Sequence, residues 1–284
     1  MTTASAKIAA RPDAGNRVLV DPQWLDDHLV DPGVRVIEVD VSPAAYHDWH
    51  IDGAVLWNVY ADVKDADYRL VGTAEMEQLL VRSGIGPDST VVLYGYAPAL
   101  GFWLLKLCQH PDVRILNCSR DSWRAAGHRC SSIASEPEAG SFRPGIQDPG
   151  IRADWETVLA AVGQPGIALL DVRSQAEYRG ERFWPSGGME PGGRAGHVPS
   201  AVHVPIDGIY RDDGSFRSSA ELRRVFAAAD PGGTRELITY CTIGGRAATA
   251  WFVLTQLLGH DHVRVYDGSW AEWGRMTGTP VECP

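Results

Sequence analysis

The chain has no positive charge to spare. Twenty-six lysines and arginines stand against 36 aspartates and glutamates, a formal net charge of −10. No basic surface is therefore available to meet nucleic acid or an anionic membrane, and neither is expected as a partner. No apolar run approaches the roughly 20 residues that span a bilayer. Residues 1–17 lack the apolar core of a secretory signal and read as a flexible N-terminal tail. The five cysteines, Cys108, Cys118, Cys130, Cys241 and Cys283, contain no Cys-x-x-Cys pair and no histidine spacing suited to zinc. No metal site is expected, and the odd, widely spaced set points to reduced thiols in the cytoplasm. What remains is ordinary globular composition, 44% hydrophobic and 22% charged, over 284 residues, enough for two domains.

Three of the cysteines suit structural or peripheral places. Cys108 sits in an apolar helical run, Cys283 in the tail, and Cys118 in an expected loop. Cys241 differs. It closes an apolar strand, Glu236-Leu-Ile-Thr-Tyr-Cys241, and is followed by Thr242, Ile243, Gly244, Gly245 and Arg246 before a helical stretch over 247–258. A cysteine in a tight loop ahead of a helix faces unpaired backbone N–H groups and the positive end of the helix dipole, which favour the thiolate. The two glycines let the loop curl so that its amides converge, and Arg246 adds a fixed charge.

The chain also repeats itself. Residues 102–110 match 252–260, residues 113–115 match 263–265 and Trp123 matches Trp273, all at an offset of 150. His50 matches His197 at an offset of 147. In this register Gly95 stands where Cys241 stands, and the stretch from Gly95 to Phe102 is seven positions against eleven from Cys241 to Phe252. The first copy has lost both the sulfur and part of the loop that would cradle it. Strands are expected over 18–20, 34–39, 91–94, 115–116, 168–172, 201–204, 236–240 and 263–266. Helices are expected over 22–29, 73–83, 154–162, 219–229 and 247–258. This alternation predicts an α/β fold, with a parallel sheet flanked by helices in each copy and chemistry at the strands' C-terminal ends. The Ser/Pro/Gly-rich stretch 130–149 reads as a linker between a first domain, 18–129, and a second, 150–284.

Four segments in order resemble the rhodanese (sulfurtransferase) family. They are Leu169-Leu-Asp-Val-Arg-Ser174 with its Asp-x-Arg, Gly196-His-Val-Pro-Ser-Ala201, the Cys-x-x-Gly-x-Arg loop 241–246, and Tyr266-Asp-Gly-Ser-Trp270. The resemblance implies two tandem rhodanese-like domains, the first non-catalytic and walling the cleft. It implies a persulfide on Cys241, held by Thr242, Ile243, Gly244, Gly245 and Arg246, with no organic cofactor. Asp171 and Arg173 would form an ion pair supporting the loop, and His50 and His197 would be architectural. Arg182, on the cleft rim with Arg179 and Arg194, would help bind an anionic donor, while Trp57 and Tyr60 could reach the cleft from the first domain.

Two positions depart from the family pattern. Thiosulfate-using members commonly carry a basic residue directly after the cysteine, where this chain has Thr242. Many two-domain members carry an arginine at the place of Glu177. The Gly-Ser-Gly of mercaptopyruvate-using members is also absent. The reading that results is a sulfurtransferase moving sulfur from thiosulfate to cyanide or a thiol. 3-Mercaptopyruvate as donor and a persulfide carrier loaded by a sulfur-relay protein are the alternatives. A cysteine phosphatase would need Cys-x5-Arg, one residue longer than the spacing from Cys241 to Arg246.

Overall fold

The computed structural model describes residues 18–145, 148–229 and 235–283, so the tail over 1–17 lies outside the described residues. The first half runs β1 (Leu19–Val20), α1 (Pro22–His28), β2 (Val34–Asp40), α2 (Pro43–Asp48), β3 (His50–Ile51) and β4 (Val55–Asn58). A π-helical turn follows at Val59–Val63, then α3 (Thr73–Arg82), β5 (Thr90–Gly95), α4 (Pro98–Leu107), β6 (Val113–Leu116), α5 (Arg120–Ala125) and β7 (Cys130–Ser131). The second half runs β8 (Arg152–Ala153), α6 (Trp155–Ala161), β9 (Ile167–Asp171), α7 (Gln175–Tyr178), β10 (Val202–His203) and α8 (Ser219–Val225). It ends with β11 (Glu236–Tyr240), α9 (Gly245–Phe252), a π-helical turn at Val253–Leu257, β12 (Val263–Tyr266) and α10 (Ser269–Trp273).

Each half holds a five-stranded parallel sheet, ordered β1-β6-β5-β2-β4 in the first and β8-β12-β11-β9-β10 in the second. The two orders superimpose strand for strand, so the sequence repeat is a structural repeat. β4, not foreseen from the sequence, is the counterpart of β10. The expected helix over 247–258 divides after Phe252, where the Thr255 hydroxyl bonds back to the Trp251 carbonyl at 2.8 Å and the turn widens.

The symmetry reaches individual side chains. His50 stacks on Tyr46 at 3.9 Å and bonds its carbonyl at 2.8 Å. His197 stacks on Tyr178 at 3.7 Å and bonds its carbonyl at 2.9 Å. Both histidines are more than nine-tenths buried, in architectural places.

The stretch 130–149 is not a free linker. Cys130–Ser131 pairs with His50–Ile51, and Gly140, Ser141 and Phe142 donate backbone bonds to Val81 and Ile85. Phe142 also packs edge-on against His110 at 4.8 Å. The segment is strapped to the first half because its small residues leave backbone groups that find partners there.

One apolar cluster runs through both halves. Phe102 of α4 meets Phe252 edge-to-face at 4.8 Å and lies 6.3 Å from Trp251. The two helices that open at the site loops therefore pack on each other, and the loops face across one cleft. Truncating Phe102 to Ala is expected to cost about 3–5 kcal/mol, as for a fully buried ring that leaves a cavity. Denaturant unfolding checks this, and a loss below about 1 kcal/mol would show that the helix contact contributes little.

Candidate active site

β11 ends at Tyr240, in register with Asp171 of β9, and the chain turns at Cys241 into α9. The turn depends on Gly244, which takes φ +92°. A Cβ there would fall 2.8 Å from the Asp267 carbonyl oxygen, so the position needs glycine. In this conformation the Gly244 amide donates to Cys241 Sγ at 3.2 Å. The backbone of Cys241 is fixed from the far side. Its N–H donates to Ser269 Oγ at 3.1 Å and its carbonyl accepts from Trp270 N–H at 3.0 Å. The Ala271 N–H in turn donates to the Thr242 carbonyl at 2.9 Å. The Tyr266–Trp270 segment thus acts as a clamp under the loop.

Arg246 does not stand free. Its guanidinium donates to both Glu177 oxygens, at 2.9 and 2.7 Å, and to Thr242 Oγ1 at 2.7 Å, while the Thr242 hydroxyl donates to Glu177 at 2.6 Å. Glu177 is fully buried, and its other partners are the Ser174 amide and hydroxyl of a capping box that opens α7. Burial pushes the Glu177 carboxyl up. The hydrogen bonds and charge of Arg246, with Thr242 and Ser174, outweigh this and hold it down at about 2. Burial draws the Arg246 guanidinium down, and Glu177 and the charge of Cys241 more than offset that.

Thr242 and Glu177, the two departures from the family pattern, are therefore joined. The acid at 177 and the hydroxyl at 242 jointly bind the arginine of the loop. Sequence reasoning treated Glu177 as a missing cation. The Ser174-x-x-Glu177 spacing was the available signal for its capping role.

Asp171 and Arg173 are fully buried and paired through two contacts, 2.9 Å at Nε and 2.5 Å at Nη2. Arg173 also donates to the Gly196 carbonyl at 2.8 Å and lies 4.6 Å from the Trp270 ring centre. The pair supports the clamp and does not reach the cleft. Arg182 is placed otherwise than expected: it donates to Ser174 Oγ at 2.9 Å, behind Glu177, and does not line the cleft. Arg194 is held by the carbonyls of Trp273, Gly274, Met276 and Thr279, well supplied as a structural residue.

The cleft above Cys241 has a volume of about 440 Å³. The second half lines it with Trp184, Pro185, Ser186, Cys241, Thr242, Ile243, Gly245 and Arg246. The first half contributes Val41, Val59, Tyr60, Tyr96, Ala97 and Leu100. Tyr60 reaches the cleft as foreseen. Trp57 is buried, with its indole N–H on Ser83. Tyr96 and Ala97 belong to the loop that replaces the cysteine loop. There Gly95 has φ +103°, and a Cβ would sit 2.9 Å from the Val39 carbonyl, so a cysteine cannot simply be restored.

These features define a class: a two-domain α/β protein with one amide-cradled cysteine at the head of a helix, facing a cleft shared by both halves. Sequence comparison agrees. The rhodanese-like domain model matches residues 21–126 and again 154–276, and the chain belongs to the rhodanese-like family. A Haloferax volcanii protein named "Putative thiosulfate sulfurtransferase" is 40% identical over 281 residues, 95% of this chain and 98% of its own length. A protein of the same name from Mycolicibacterium smegmatis is 38% identical, covering 95% and 99%. The Thermus thermophilus "Sulfur carrier protein TtuD" is 38% identical, covering 93% and 96%. Among solved structures, YnjE superposes with a TM-score of 0.81 at 24% identity, over 94% of this chain and 68% of its own. Wild-type EanB gives 0.82 at 24%, over 96% and 70%. At these identities the two structures speak for the fold. The curated relatives support sulfurtransferase activity in general.

The charge of Glu177 has a consequence for stability. Its folded value of about 2 lies below the ordinary 4.5, so its stabilisation is full above 4.5 and is lost as pH falls through about 2. Glu177→Gln is expected to melt lower than the parent at neutral pH, and the gap should close as pH drops from 4.5 toward 2. Melting temperatures measured against pH check this, and a gap independent of pH would show that the carboxylate charge is not the stabilising element.

Proposed function

We propose that the chain is a sulfurtransferase that works through a persulfide on Cys241. The Cys241 thiolate attacks the outer sulfur of thiosulfate. The S–S bond of the donor breaks, and sulfite leaves with the bonding pair. The sulfur now bound to Cys241 carries the negative charge. An acceptor nucleophile, cyanide or a thiol, then attacks that terminal sulfur and the Cys241 thiolate departs, which makes the reaction a two-step covalent transfer. The observation that carries the reading is the Gly244 amide on Cys241 Sγ at the head of α9, inside a cleft that admits a donor. Backbone N–H groups and the helix dipole supply the positive potential that a sulfur anion requires. Thr242, Ile243, Gly245 and Arg246 shape the wall around it, with Asp171 and Arg173 as the supporting pair. 3-Mercaptopyruvate is the alternative small donor.

A second reading has its own support. The cleft's one charged lining side chain, Arg246, is bound by Glu177, so no unpaired side-chain cation among the described lining residues awaits a dianion. This favours a persulfide carrier loaded by a partner protein, and one relative is named a sulfur carrier protein. All five thiols are free in the structure, which fits a cytoplasmic, reducing setting. No helix among the described residues is long and apolar enough to cross a membrane.

Intact-protein mass after incubation with thiosulfate separates the readings. Gain of one sulfur atom, lost in Cys241→Ser and on adding cyanide, is the expected result, and a parallel sample with 3-mercaptopyruvate ranks the donors. No gain from either small donor would overturn the small-molecule reading in favour of the carrier.

A further inference from the structure

We propose that Glu177 is a positioning residue that sets donor specificity: acting through Arg246, it withholds the guanidinium charge from dianions and leaves the cleft to sulfur donors of one charge, such as thiosulfonates and persulfides. Arg246 is the one charged side chain among the described residues that line the cleft, and 22% of it is exposed. It stands in the first turn of α9, on the same loop as Cys241. A cation is therefore in place beside the cysteine, and its use depends on what already holds it.

Glu177 meets the guanidinium end-on. One carboxylate oxygen accepts from Nη1 at 2.9 Å and the other from Nη2 at 2.7 Å. A two-point pair of this kind is strong and fixed in geometry. Thr242 Oγ1 accepts from Nη2 at 2.7 Å and passes its own hydrogen to Glu177 at 2.6 Å, which closes a ring of three side chains. No other acid bonds Arg246 among the described residues, so the match is one charge to one.

The acid is built to stay where it is. Its side chain has no exposed surface, and the Ser174 amide and hydroxyl hold it at 3.1 and 2.7 Å. Arg182 reaches that Ser174 hydroxyl at 2.9 Å and lines no part of the cleft. The carboxyl, held down at about 2, is ionised at any working pH, so titration does not release the arginine. A dianion in the cleft has to compete with this carboxylate for the same donors. The carboxylate cannot yield, because burial gives it no water to turn to. The first half offers no substitute, since Val41, Val59, Tyr60, Tyr96, Ala97 and Leu100 bring no positive charge. A donor whose single charge lies at the sulfur is served by the Gly244 amide and the helix start instead.

The inference rests on the reading of this cleft as the donor site, and its test reads binding apart from sulfur transfer. Thiosulfate and methanethiosulfonate, a monoanion with the same sulfur–sulfur end, would be titrated calorimetrically into Cys241→Ser, which lacks the thiol. Adding Glu177→Gln keeps the size of the side chain and an oxygen for Ser174 but removes the charge. Thiosulfate should then bind about ten-fold more tightly, and methanethiosulfonate should gain less. Adding Arg246→Gln as well leaves a pair without charge, and thiosulfate affinity should fall back to within about two-fold of Cys241→Ser alone.

Equal or weaker thiosulfate binding with Glu177→Gln overturns the assignment, because a merely structural acid can only loosen the site when it is lost. So does an equal gain for both ligands, or a gain that survives Arg246→Gln. If the chain with Glu177→Gln alone does not fold, the uncharged pair decides. Thiosulfate affinity equal to that of Cys241→Ser then supports the assignment, and a loss of about ten-fold overturns it. Thiosulfate that fails to load Cys241 in the parent would sink the small-donor transfer reading and leave this comparison standing.

Discussion

In the proposed reading, a sulfur anion at the end of a buried strand must sit in positive potential without being flooded by water. That requirement organises the second half of this protein. One left-handed residue, Gly244, turns an amide onto Cys241 Sγ, and it must be glycine because the Asp267 carbonyl leaves no room for a side chain. The clamp of Ser269, Trp270 and Ala271 fixes the loop's backbone from below, and the Glu177–Arg246–Thr242 network fixes it from the side. None of these contacts is to a donor. They hold the geometry in advance, as a site built from backbone dipoles needs.

The first half keeps the sheet and helix framework of this arrangement without the cysteine and without the full loop. Its strand order, its stacked histidine and its helix start all repeat the second half, yet Gly95 is pressed against the Val39 carbonyl and the loop after it is four residues shorter. Losing the loop had a positive outcome. With nothing to cradle, Tyr96, Ala97 and Leu100 are free to wall the cleft, and α4 can pack directly on α9 through Phe102 and Phe252. The two halves thus line one cleft with unlike sides.

Much of this was legible in the sequence, because it rests on short-range patterns. A strand, a Cys-x-x-Gly-x-Arg loop and a helix are contiguous, and the offset of 150 exposes the repeat. The residues that escaped are those whose meaning depends on distant partners. Lys64 lies among Asp62, Asp65 and Asp67, with nothing in the sequence to single it out until the fold brings it to Asp267, 203 positions away. Arg182 reads as a rim cation because it flanks the 183–193 loop, but Ser174 is eight positions back and takes its guanidinium inward. Glu177 looked like a lost arginine when compared position by position. Only its contact with Arg246, 69 positions on, shows that the loop's cation is bound by it.

That last pairing bears on how the proposed chemistry divides its labour. A free arginine beside the cysteine would attract an anionic donor and stabilise the sulfur at once, so the two tasks could not be tuned separately. Here Glu177 binds the arginine and makes it part of the scaffold. Stabilisation of the sulfur then falls, in the proposed reading, to the Gly244 amide and the dipole of α9. These act on any anion at that position, whatever donor supplied it. Recognition is left, in this reading, to the cleft walls, lined by Val59, Tyr60, Tyr96 and Leu100 of the first half and by Trp184 of the second. Such a wall selects by shape and apolar contact more than by charge. The absence of an unpaired cation among the described lining residues is the feature that favours the carrier reading, in which a protein partner brings its own body against the rings.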